Sequence, residues 1–341
     1  MNTPVVSVII PVYNGRQTLP DCLKALERQT HPPDEVIVVD DGSTDDTAAV
    51  ATQFEVTVLA QMKAGPATAR NRGTRAARGE IVLFTDADCA PAADWVERML
   101  APFADPGVVG AKGEYRTHQQ ELVARFVQQE YQDRYDRMAT QPQIDFVDTY
   151  SAAYRRDLFW AAGGFDAIFP TASVEDQELS FRLAERGHRL VYVPGAIVYH
   201  RHDRTVSEYA RRKYFIGFWK ALVMQRHPAK LAYDSHTPQI LKVQMGLAAF
   251  GGILLLVGAV VGWRQAVIGG WLVWGLLLLS GLRFYAKILW RDMPVLALAP
   301  LLLFVRAWAL GCGFFLGNLR LALWPGFMKL SEKSHPGAKQ P

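Results

Sequence analysis

Two aspartates follow an apolar run near residue 85 and could hold a metal ion. Residues 81–84 are apolar and rich in branched side chains, which predicts a buried β-strand, and Asp86 and Asp88 come just after it. In an extended chain the two side chains point to the same side of the backbone. Carboxylates held close together repel each other unless a cation lies between them, and a divalent metal carrying a diphosphate would be such a cation. Because Asp is also common in turns, the pair needs support from other residues.

Three further polar clusters follow predicted strands or open a predicted helix. Residues 11–15 (Pro-Val-Tyr-Asn-Gly) follow the first strand, and residues 40–45 (Asp-Asp-Gly-Ser-Thr-Asp) follow the second. Residues 65–73 carry Gly-Pro-Ala and then Arg-Asn-Arg-Gly where the third helix begins. Each cluster alone is typical of turns and helix caps. Since open α/β sheets bind ligands at the carboxyl ends of their strands, the four clusters together indicate one ligand site.

The elements that must position these clusters alternate between strand and helix over the first 110 residues. The sequence predicts strands at residues 5–12, 35–39, 56–59 and 80–84, and helices at residues 19–26, 45–54 and 66–77. This alternation predicts an α/β fold with a mostly parallel sheet covered by helices on both faces. Beyond residue 110 the pattern is less regular. We expect helices at 121–138, 158–162 and 175–186, a strand at 146–154, and edge strands at 189–193 and 196–199.

Three apolar segments occupy the last third of the chain. Residues 243–263 and 265–282 contain no ionisable side chain, and residues 294–319 contain only Arg306. Runs of about 17 to 25 apolar residues can cross a bilayer. A straight membrane-spanning helix in the third segment would cost free energy, because the segment contains Pro294, Pro300 and Arg306. It therefore either crosses, re-enters or lies at the interface. An arginine at membrane depth is a candidate functional residue that could face a lipid phosphate.

Basic residues are concentrated beside the apolar segments. They are Arg211, Arg212, Lys213, Lys220, Arg226, Lys230, Lys242, Arg283, Lys287 and Arg291. The positive-inside rule therefore predicts a multi-pass protein of the inner (plasma) membrane whose amino-terminal region is cytoplasmic. The same cations could hold anionic lipid headgroups. The amino terminus has no signal-peptide pattern, the net charge of +4 is too small to indicate nucleic acid as a partner, and the three cysteines lack metal or disulfide spacing.

These motifs in combination resemble the family 2 glycosyltransferases, which have the GT-A fold. The matching residues are 6–14, 39–45, 65–73, 86–88, 163–166 and 175–176, within a resemblance that covers about residues 4 to 220. The resemblance implies a glycosyltransferase domain at residues 1–230, with a donor half at 1–115 and an acceptor half at 116–230. A transmembrane region at 240–325 and a disordered tail at 326–341 are expected to follow.

The resemblance assigns one group of residues to the nucleotide of a nucleotide-sugar donor. Asp40 is expected to accept from the imide N–H of a pyrimidine base. Asp41 either faces the ribose or caps the following helix, and Asn71 either lies along the nucleotide or fixes the local backbone. Asp86 is expected to contact the ribose or a metal-bound water. The remaining residues of this group are Pro11, Tyr13, Asn14 and Arg70.

The resemblance assigns a second group to the metal and to catalysis. Asp88 is expected to bind Mg²⁺ or Mn²⁺, which prefer oxygen ligands, together with either His200 or His202. Asp176 is expected to be the general base, with Glu175 beside it in the acceptor site. Asp166 either reaches the acceptor sugar or orders its own loop. One displacement with one base implies inversion at the anomeric carbon.

The function expected from the sequence is transfer of a single sugar from a nucleotide donor, with UDP favoured, to a hydroxyl. The acceptor would be a lipid-linked or membrane-proximal glycan in cell-envelope or exopolysaccharide biosynthesis. The alternative is transfer to polyprenyl phosphate, as in dolichyl-phosphate mannose synthases, with Arg306 holding the lipid phosphate. A processive synthase is disfavoured because residues 207–214 lack the Gln-x-x-Arg-Trp motif. The intact aspartates argue against an inactive scaffold.

Overall fold

The computed structural model describes residues 4–169 and 173–324, which form two compact units. The sheet unit contains residues 4–118, 135–169 and 173–201, and the helical unit contains residues 119–134 and 202–324. The predicted tail at 326–341 lies outside the described residues. The predicted domain boundary at residue 230 stays a prediction.

The sheet unit is built on one eight-stranded sheet with the order β3-β2-β1-β4-β7-β6-β8-β5. The strands are β1 (Val6–Val12), β2 (Glu35–Asp40), β3 (Thr57–Ala60), β4 (Ile81–Phe84), β5 (Cys89–Pro91), β6 (Val108–Arg116), β7 (Ala152–Arg155) and β8 (Arg189–His200). Strands β1 to β4 are parallel to one another, as predicted. Strand β7 is antiparallel to β4 and β6, β6 is parallel to β8, and β5 is antiparallel to β8. The sheet is therefore mixed beyond β4.

Helices on the sheet are short and pack against fully buried strands. The first four are α1 (Leu19–Glu27), α2 (Thr47–Ala51), α3 (Pro66–Ala76) and α4 (Trp95–Leu100). After α5 (Leu122–Met138), most of which belongs to the helical unit, come α6 (Arg156–Ala161) and α7 (Glu175–Glu185). Every residue of β1 and β4 is buried. Phe84 at the end of β4 packs edge-on against Phe165, with ring centroids 5.3 Å apart, and so anchors the strand end that precedes Asp86.

Three predictions for the second half of the sheet were wrong. Strand β6 was not predicted. The predicted strand at 146–154 is real only for its last residues, because Thr149–Ser151 form a short 3₁₀-helix and β7 begins at Ala152. The two predicted edge strands are a single strand, β8, which lies between β6 and β5 and carries a register shift against β6.

The helical unit contains the remaining elements and the apolar segments. Its further helices are α8 (Val206–Arg226), α9 (Ala229–Ala232), α10 (Gln239–Val261), α11 (Arg264–Leu279), α12 (Leu282–Arg291), α13 (Met293–Leu296) and α14 (Ala299–Leu323). By length and composition α10 and α14 could each cross a membrane. Helix α11 passes the same test only together with α12, from which it is bent by 44°. The third apolar segment begins in α13 and is one continuous helix from Ala299 onwards, because Pro300 lies in the first turn of α14, where proline is tolerated.

Arg306 is buried inside the helical unit. Its Nη1 donates to Oε1 of Glu130 at 2.6 Å, and its Nη2 donates to Oε1 of Gln244 at 2.9 Å. Lys213 donates to the other oxygen of Glu130 at 2.8 Å. Two cations thus share one buried carboxylate, which keeps the pKa of Glu130 well below its ordinary value although burial alone would raise it. Arg306 is therefore a structural residue here, and the expectation that it faces a lipid phosphate is not supported.

Candidate active site

The loops after β1 and β2 are joined through Asn14. Its φ angle of 53° lies in the left-handed region, where asparagine is tolerated better than most residues. The side-chain oxygen of Asn14 accepts from the backbone N–H of Thr44 at 2.8 Å, and its own N–H donates to Oγ of Ser43 at 2.9 Å. Pro11 is buried in β1, whereas the Tyr13 ring is exposed and lies under the ammonium group of Lys63. Asn14 thus shapes the loop pair that was predicted to line the nucleoside pocket.

Asp40 and Asp41 are adjacent and buried but have different surroundings. Oδ1 of Asp40 accepts from the backbone N–H of Ser43 at 2.9 Å. Both oxygens of Asp41 are engaged, because Oδ1 accepts from Ala64 N–H and Oδ2 from Gly65 N–H, each at 2.8 Å. Asp41 does not cap the following helix α2, which was one of the two roles left open for it. It fixes the loop that leads into α3.

Arg70 of α3 joins the end of β4 to the start of α7. Its Nη2 donates to Oδ1 of Asp86 at 2.7 Å, and its Nη1 donates to Oε1 of Glu175 at 3.0 Å. The side chains of Arg70 and Glu175 are each only 2% exposed, whereas that of Asp86 is 27% exposed. Burial would lower the pKa of Arg70, but Asp86 and Glu175 raise it above its ordinary value. The structure places Arg70 between two carboxylates, and its predicted position along the nucleotide stays a prediction.

Asn71 and Asp166 both hold the loop between α6 and α7. Asn71 donates to the carbonyl oxygen of Phe165 at 2.7 Å and accepts from the N–H of Phe165 at 2.9 Å. Asp166 is completely buried and accepts from the N–H of Ile168 at 2.8 Å. For both residues the sequence left a ligand-binding and a structural role open. The contacts support the structural role in each case.

Asp176, the predicted general base, lies at the start of α7 and has a raised pKa. It is half-buried in the first turn of α7, where its Oδ1 accepts from the N–H of Gln177 at 2.7 Å. Burial and, next in size, the neighbouring Glu175 raise the pKa of Asp176 to about 7. A base is most efficient when its pKa lies near the working pH, so this carboxyl can exchange a proton there.

Asp88 and His200 come together because β5 pairs with the end of β8. Nε2 of His200 is 3.2 Å from Oδ2 of Asp88, and the imidazole stacks on the Tyr115 ring with centroids 4.6 Å apart. Desolvation would raise the pKa of Asp88, but the hydrogen bond and charge of His200 hold it below its ordinary value. A carboxylate and an imidazole at this distance fit the ligand set of a divalent ion such as Mn²⁺.

Cys89 completes the group of potential metal ligands, since its Sγ and the ligand atoms of Asp88 and His200 lie within 4.8 Å of one another. Burial raises the pKa of the Cys89 thiol well above its ordinary value, so it is a poor ligand for a hard cation. His202, the alternative histidine, lies in the helical unit, where its Nε2 is 3.2 Å from Oε1 of Gln128. His200 is therefore the histidine that the structure brings to Asp88.

The sequence did not predict the contribution of β6 to the site. Tyr115, whose ring supports His200, lies on this strand, and its N–H donates to the hydroxyl of Tyr135 at 2.7 Å. Lys112 on the same strand is buried and forms an ion pair with Asp148. Since β6 was not predicted, its Tyr115 could not be connected with His200 beforehand.

Comparison with known proteins identifies the type of domain. Residues 7–163 match the family described as Glycosyl transferase family 2. The pre-mycofactocin glycosyltransferase of Mycobacterium tuberculosis is 33% identical over 241 residues, which cover 67% of this chain and 49% of that protein. The chain thus spans about half the length of that relative. The glycosyltransferase AglE of Haloferax volcanii is 28% identical over 228 residues, which cover 63% of this chain and 72% of AglE.

A solved structure extends the likeness to nearly the whole chain. The mannosyltransferase PcManGT of Pyrobaculum calidifontis, in complex with GDP-Man and Mn²⁺, superposes with a TM-score of 0.61. The sequence identity is 22%, and the match covers 94% of this chain and 88% of that chain. At this identity the likeness concerns the fold. Residues 7–163 therefore form a glycosyl transferase family 2 domain, and the likeness to the solved structure shows that its fold is GT-A.

Proposed function

We propose that the protein is an inverting, metal-dependent glycosyltransferase that moves one sugar from a nucleotide donor to a hydroxyl of a lipid-linked or membrane-proximal glycan. The observation that carries this proposal is the chain of contacts from Asp86 through Arg70 to Glu175, next to Asp176. It ties the strand end that leads to Asp88 to the helix that carries the base. The residues proposed to bind the donor and the residue proposed to activate the acceptor would therefore share one site.

Asp88 and His200 would hold Mg²⁺ or Mn²⁺, and the cation would supply Lewis-acid stabilisation of the departing diphosphate. Asp40 would bind the base of the nucleotide, accepting from the imide N–H of uracil. Since guanine also offers a ring N–H, this contact alone does not separate UDP from GDP donors. We propose a UDP-linked donor, to be tested against GDP-mannose, the ligand of PcManGT.

Asp176 would take the proton of the acceptor hydroxyl. The hydroxyl oxygen forms its bond to the anomeric carbon while the bond from that carbon to the diphosphate oxygen breaks. The raised pKa of Asp176 lets it receive this proton near neutral pH. Because attack and departure occur on opposite faces of the sugar, one such displacement inverts the anomeric configuration.

The proposed acceptor follows from membrane anchoring. Helices α10 and α11 form an antiparallel hairpin, in which Gln244 donates to Ser280 at 3.0 Å and Trp274 donates to the carbonyl oxygen of Ala248 at 3.2 Å. Helix α10 is long and apolar enough to cross a bilayer. An enzyme of the inner membrane with a cytoplasmic catalytic domain would meet lipid-linked intermediates of cell-envelope or exopolysaccharide assembly.

Transfer to polyprenyl phosphate is the weaker candidate. That reaction would need a cation for the lipid phosphate, and the residue expected to supply it was Arg306. Both Nη atoms of Arg306 are already bonded, to Glu130 and Gln244. The observation favours a hydroxyl acceptor.

The test uses the full chain in detergent or nanodiscs with Mn²⁺ and a panel of UDP-sugars and GDP-mannose. Each donor is combined with a lipid extract from the native membrane or with polyprenyl phosphate alone. We expect sugar transfer to the extract with inverted anomeric configuration by NMR. An Asp176→Asn variant should lose about 10²- to 10⁴-fold in transfer rate, while Glu185→Gln, an exposed change in the same helix, should keep it. Undiminished transfer by Asp176→Asn, or retained configuration in the product, would contradict the proposed mechanism.

A further inference from the structure

Helix α14 is flanked along much of its length by α8, and the two helices run in the same direction. A Cβ atom on Gly217 would meet the backbone of Leu310, one on Gly313 the backbone of Tyr214, and one on Gly317 the backbone of Phe218. The backbones therefore touch at successive turns. At one end Lys213 and Arg306 share Glu130, and at the other Gln225 donates to Asn318 at 3.5 Å. Whatever environment surrounds α14 from residue 306 to 318 must also accommodate residues 213 to 225 of α8.

Helix α8 is unsuited to the hydrocarbon core of a bilayer. Its 21 residues include five cations and one acid. Lys220 lies opposite the middle and second half of α14, where its Nζ donates to Oγ1 of Thr237 at 2.6 Å. Each cation at the centre of a bilayer costs about 2.5–3.5 kcal/mol on insertion scales. By contrast, α10 has no ionisable side chain after Lys242. If α14 crossed the membrane, it would bring Lys213 and Lys220 into the core with it.

The remaining surface of α14 is apolar on one side only. Exposed side chains recur there at helical spacing, namely Cys312, Phe315, Leu316, Leu319 and Leu323. Arg320 at this end lies against the rings of Phe218, Trp219 and Trp324. A one-sided apolar stripe bordered by cations and aromatic rings is typical of a helix that lies in the interface of a bilayer.

Helix α12 repeats this pattern. Its exposed apolar residues Leu282, Ala286, Leu289 and Trp290 lie along one side, and Arg283, Lys287 and Arg291 follow one another at i, i+4 and i+8 on the adjacent side. Its third side, with Ile288, packs into the helical unit. Since α12 follows α11 directly after a bend of 44°, an interfacial position explains why the apolar stretch of α11 ends there.

Contacts with the α10–α11 hairpin show where along the hairpin α14 passes. Gln244, near the start of α10, bonds both Ser280 just after α11 and Arg306 of α14. A Cβ on Gly281 would meet Leu303, and one on Gly252 would meet Trp308. The contacts of Gln244 and Gly281 lie at the polar ends of the hairpin, whereas Gly252 lies just past the middle of α10; further along α14, Gly311 again faces Met245 near the start of α10. Helix α14 therefore passes across α10 between Gln244 and Gly252, between the surface at which α10 begins and the middle of the bilayer.

We propose that α14, together with α8 and α12, lies in the interface of an anionic bilayer and does not cross it. The apolar stripes of α14 and α12 contact the acyl boundary, and Arg283 on the basic side of α12 contacts the headgroups, while Lys287 on the same side donates to Asp133 at 2.6 Å. Only the α10–α11 hairpin crosses, with α11 and the residues after it up to 282 supplying an apolar segment of 18 residues, 265–282. Trp324 therefore stays on the side of the membrane where α10 starts. This inference rests on the proposed membrane anchoring.

Cysteine accessibility in cells tests the inference. In a Cys312→Ser background Cys22 and Cys89 remain, both buried and with a raised pKa, so a maleimide reaches them slowly. Single cysteines are then placed at four exposed positions: Leu323→Cys and Trp324→Cys after α14, Trp263→Cys between α10 and α11, and Met62→Cys in the sheet unit. Each variant is labelled with a membrane-impermeant maleimide in spheroplasts and in inside-out vesicles. Sugar transfer by each variant shows that it is folded.

We expect positions 323 and 324 to be labelled only in inside-out vesicles, as position 62 is, and position 263 to be labelled only in spheroplasts. Labelling of 323 and 324 together with 263 would mean that α14 crosses and would overturn the inference while leaving the anchoring intact. Labelling of 263 together with 62 would mean that the hairpin does not cross. That result would overturn the proposed anchoring and the inference with it. Two reporters after α14 guard against a local effect of either substitution.

Discussion

Replacing Arg70 with glutamine should both destabilise the sheet unit and change the pH dependence of sugar transfer. Arg70 and Glu175 are each 2% exposed, so the substitution leaves a buried carboxylate without its cation. Removing one partner of a buried pair costs about 3–5 kcal/mol. The bond to Asp86 adds less, because that side chain is 27% exposed and water can replace the guanidinium. We therefore expect a loss of about 3–5 kcal/mol in the free energy of unfolding.

The pH effect follows from the charge of Arg70. Burial and Glu175 raise the pKa of Asp176 to about 7, and the positive charge of Arg70 opposes that rise. Without it the pKa of Asp176 increases further. Since the base must be deprotonated to act, the acidic limb of kcat/KM should move to higher pH in Arg70→Gln. Arg70→Lys keeps the charge but can reach only one carboxylate, so it should restore much of the pH profile and little of the stability.

The assay measures kcat/KM from pH 5 to 9 alongside thermal unfolding in the same detergent. Arg78→Gln is the matched control, because the side chain of Arg78 is 79% exposed and its pair with Glu35 should contribute at most about 1 kcal/mol. An acidic limb that stays in place, or moves to lower pH, in a folded Arg70→Gln variant would refute the reasoning. So would a loss of stability no larger than that of the control.

Three further predictions concern residues whose roles the contacts suggest. His200→Ala should raise the Mn²⁺ concentration needed for half-maximal transfer by about 10- to 100-fold, whether His200 binds the ion or orients Asp88. His202→Ala should leave that concentration unchanged, and a metal titration with the same midpoint for both variants would contradict the prediction. Asn71→Ala should lower the free energy of unfolding by about 1–3 kcal/mol, because two hydrogen bonds to Phe165 are lost, and should leave the KM for the donor unchanged. A raised donor KM at unchanged stability would instead indicate that Asn71 contacts the nucleotide. Glu130→Gln should lower the free energy of unfolding by about 3–5 kcal/mol, because Lys213 and Arg306 lose their shared anion. The control is Glu121→Gln, which removes an exposed ion pair with Arg204 and should keep the stability of the wild type.

What the sequence could and could not predict depends on the range of the interactions involved. Strands β1 to β4 were predicted within a residue or two, because each is a short apolar run bounded by turn residues. The convergence of the loops after them followed from parallel pairing. Strand β6 was missed because Lys112 and Glu114 interrupt its apolar pattern. Both are buried in the structure because partners satisfy them: Asp148 forms an ion pair with Lys112, and Glu114 pairs with Arg116 and accepts from the hydroxyl of Tyr192.

The same limit applies within the candidate site. The sequence identified Arg70 and Asn71 as candidate site residues but did not identify their partners. Those partners, Glu175 and Phe165, lie about a hundred residues away in the sequence. No local pattern reveals which acid a buried arginine will meet. The helix that brings Glu175 to Arg70 was predicted, while its docking depends on the whole aromatic core under β4. For Arg306 the sequence suggested a lipid phosphate as the partner, because no anion lies near it in the apolar segment. Its partner in the structure is Glu130, in a helix far upstream.

The glycine contacts between α8 and α14 have a consequence for how the protein is made. The two helices are separated in the sequence by 72 residues, and their backbones touch at Gly217, Gly313 and Gly317. Synthesis proceeds from the amino terminus at about 5–20 residues per second, and domains generally fold in that order. The sheet unit has all of its strands once His200 has emerged, whereas α8 must wait for the last described helix before its glycine face is covered. A ribosome stalled before residue 310 would therefore carry a complete sheet and a helical unit with an open seam.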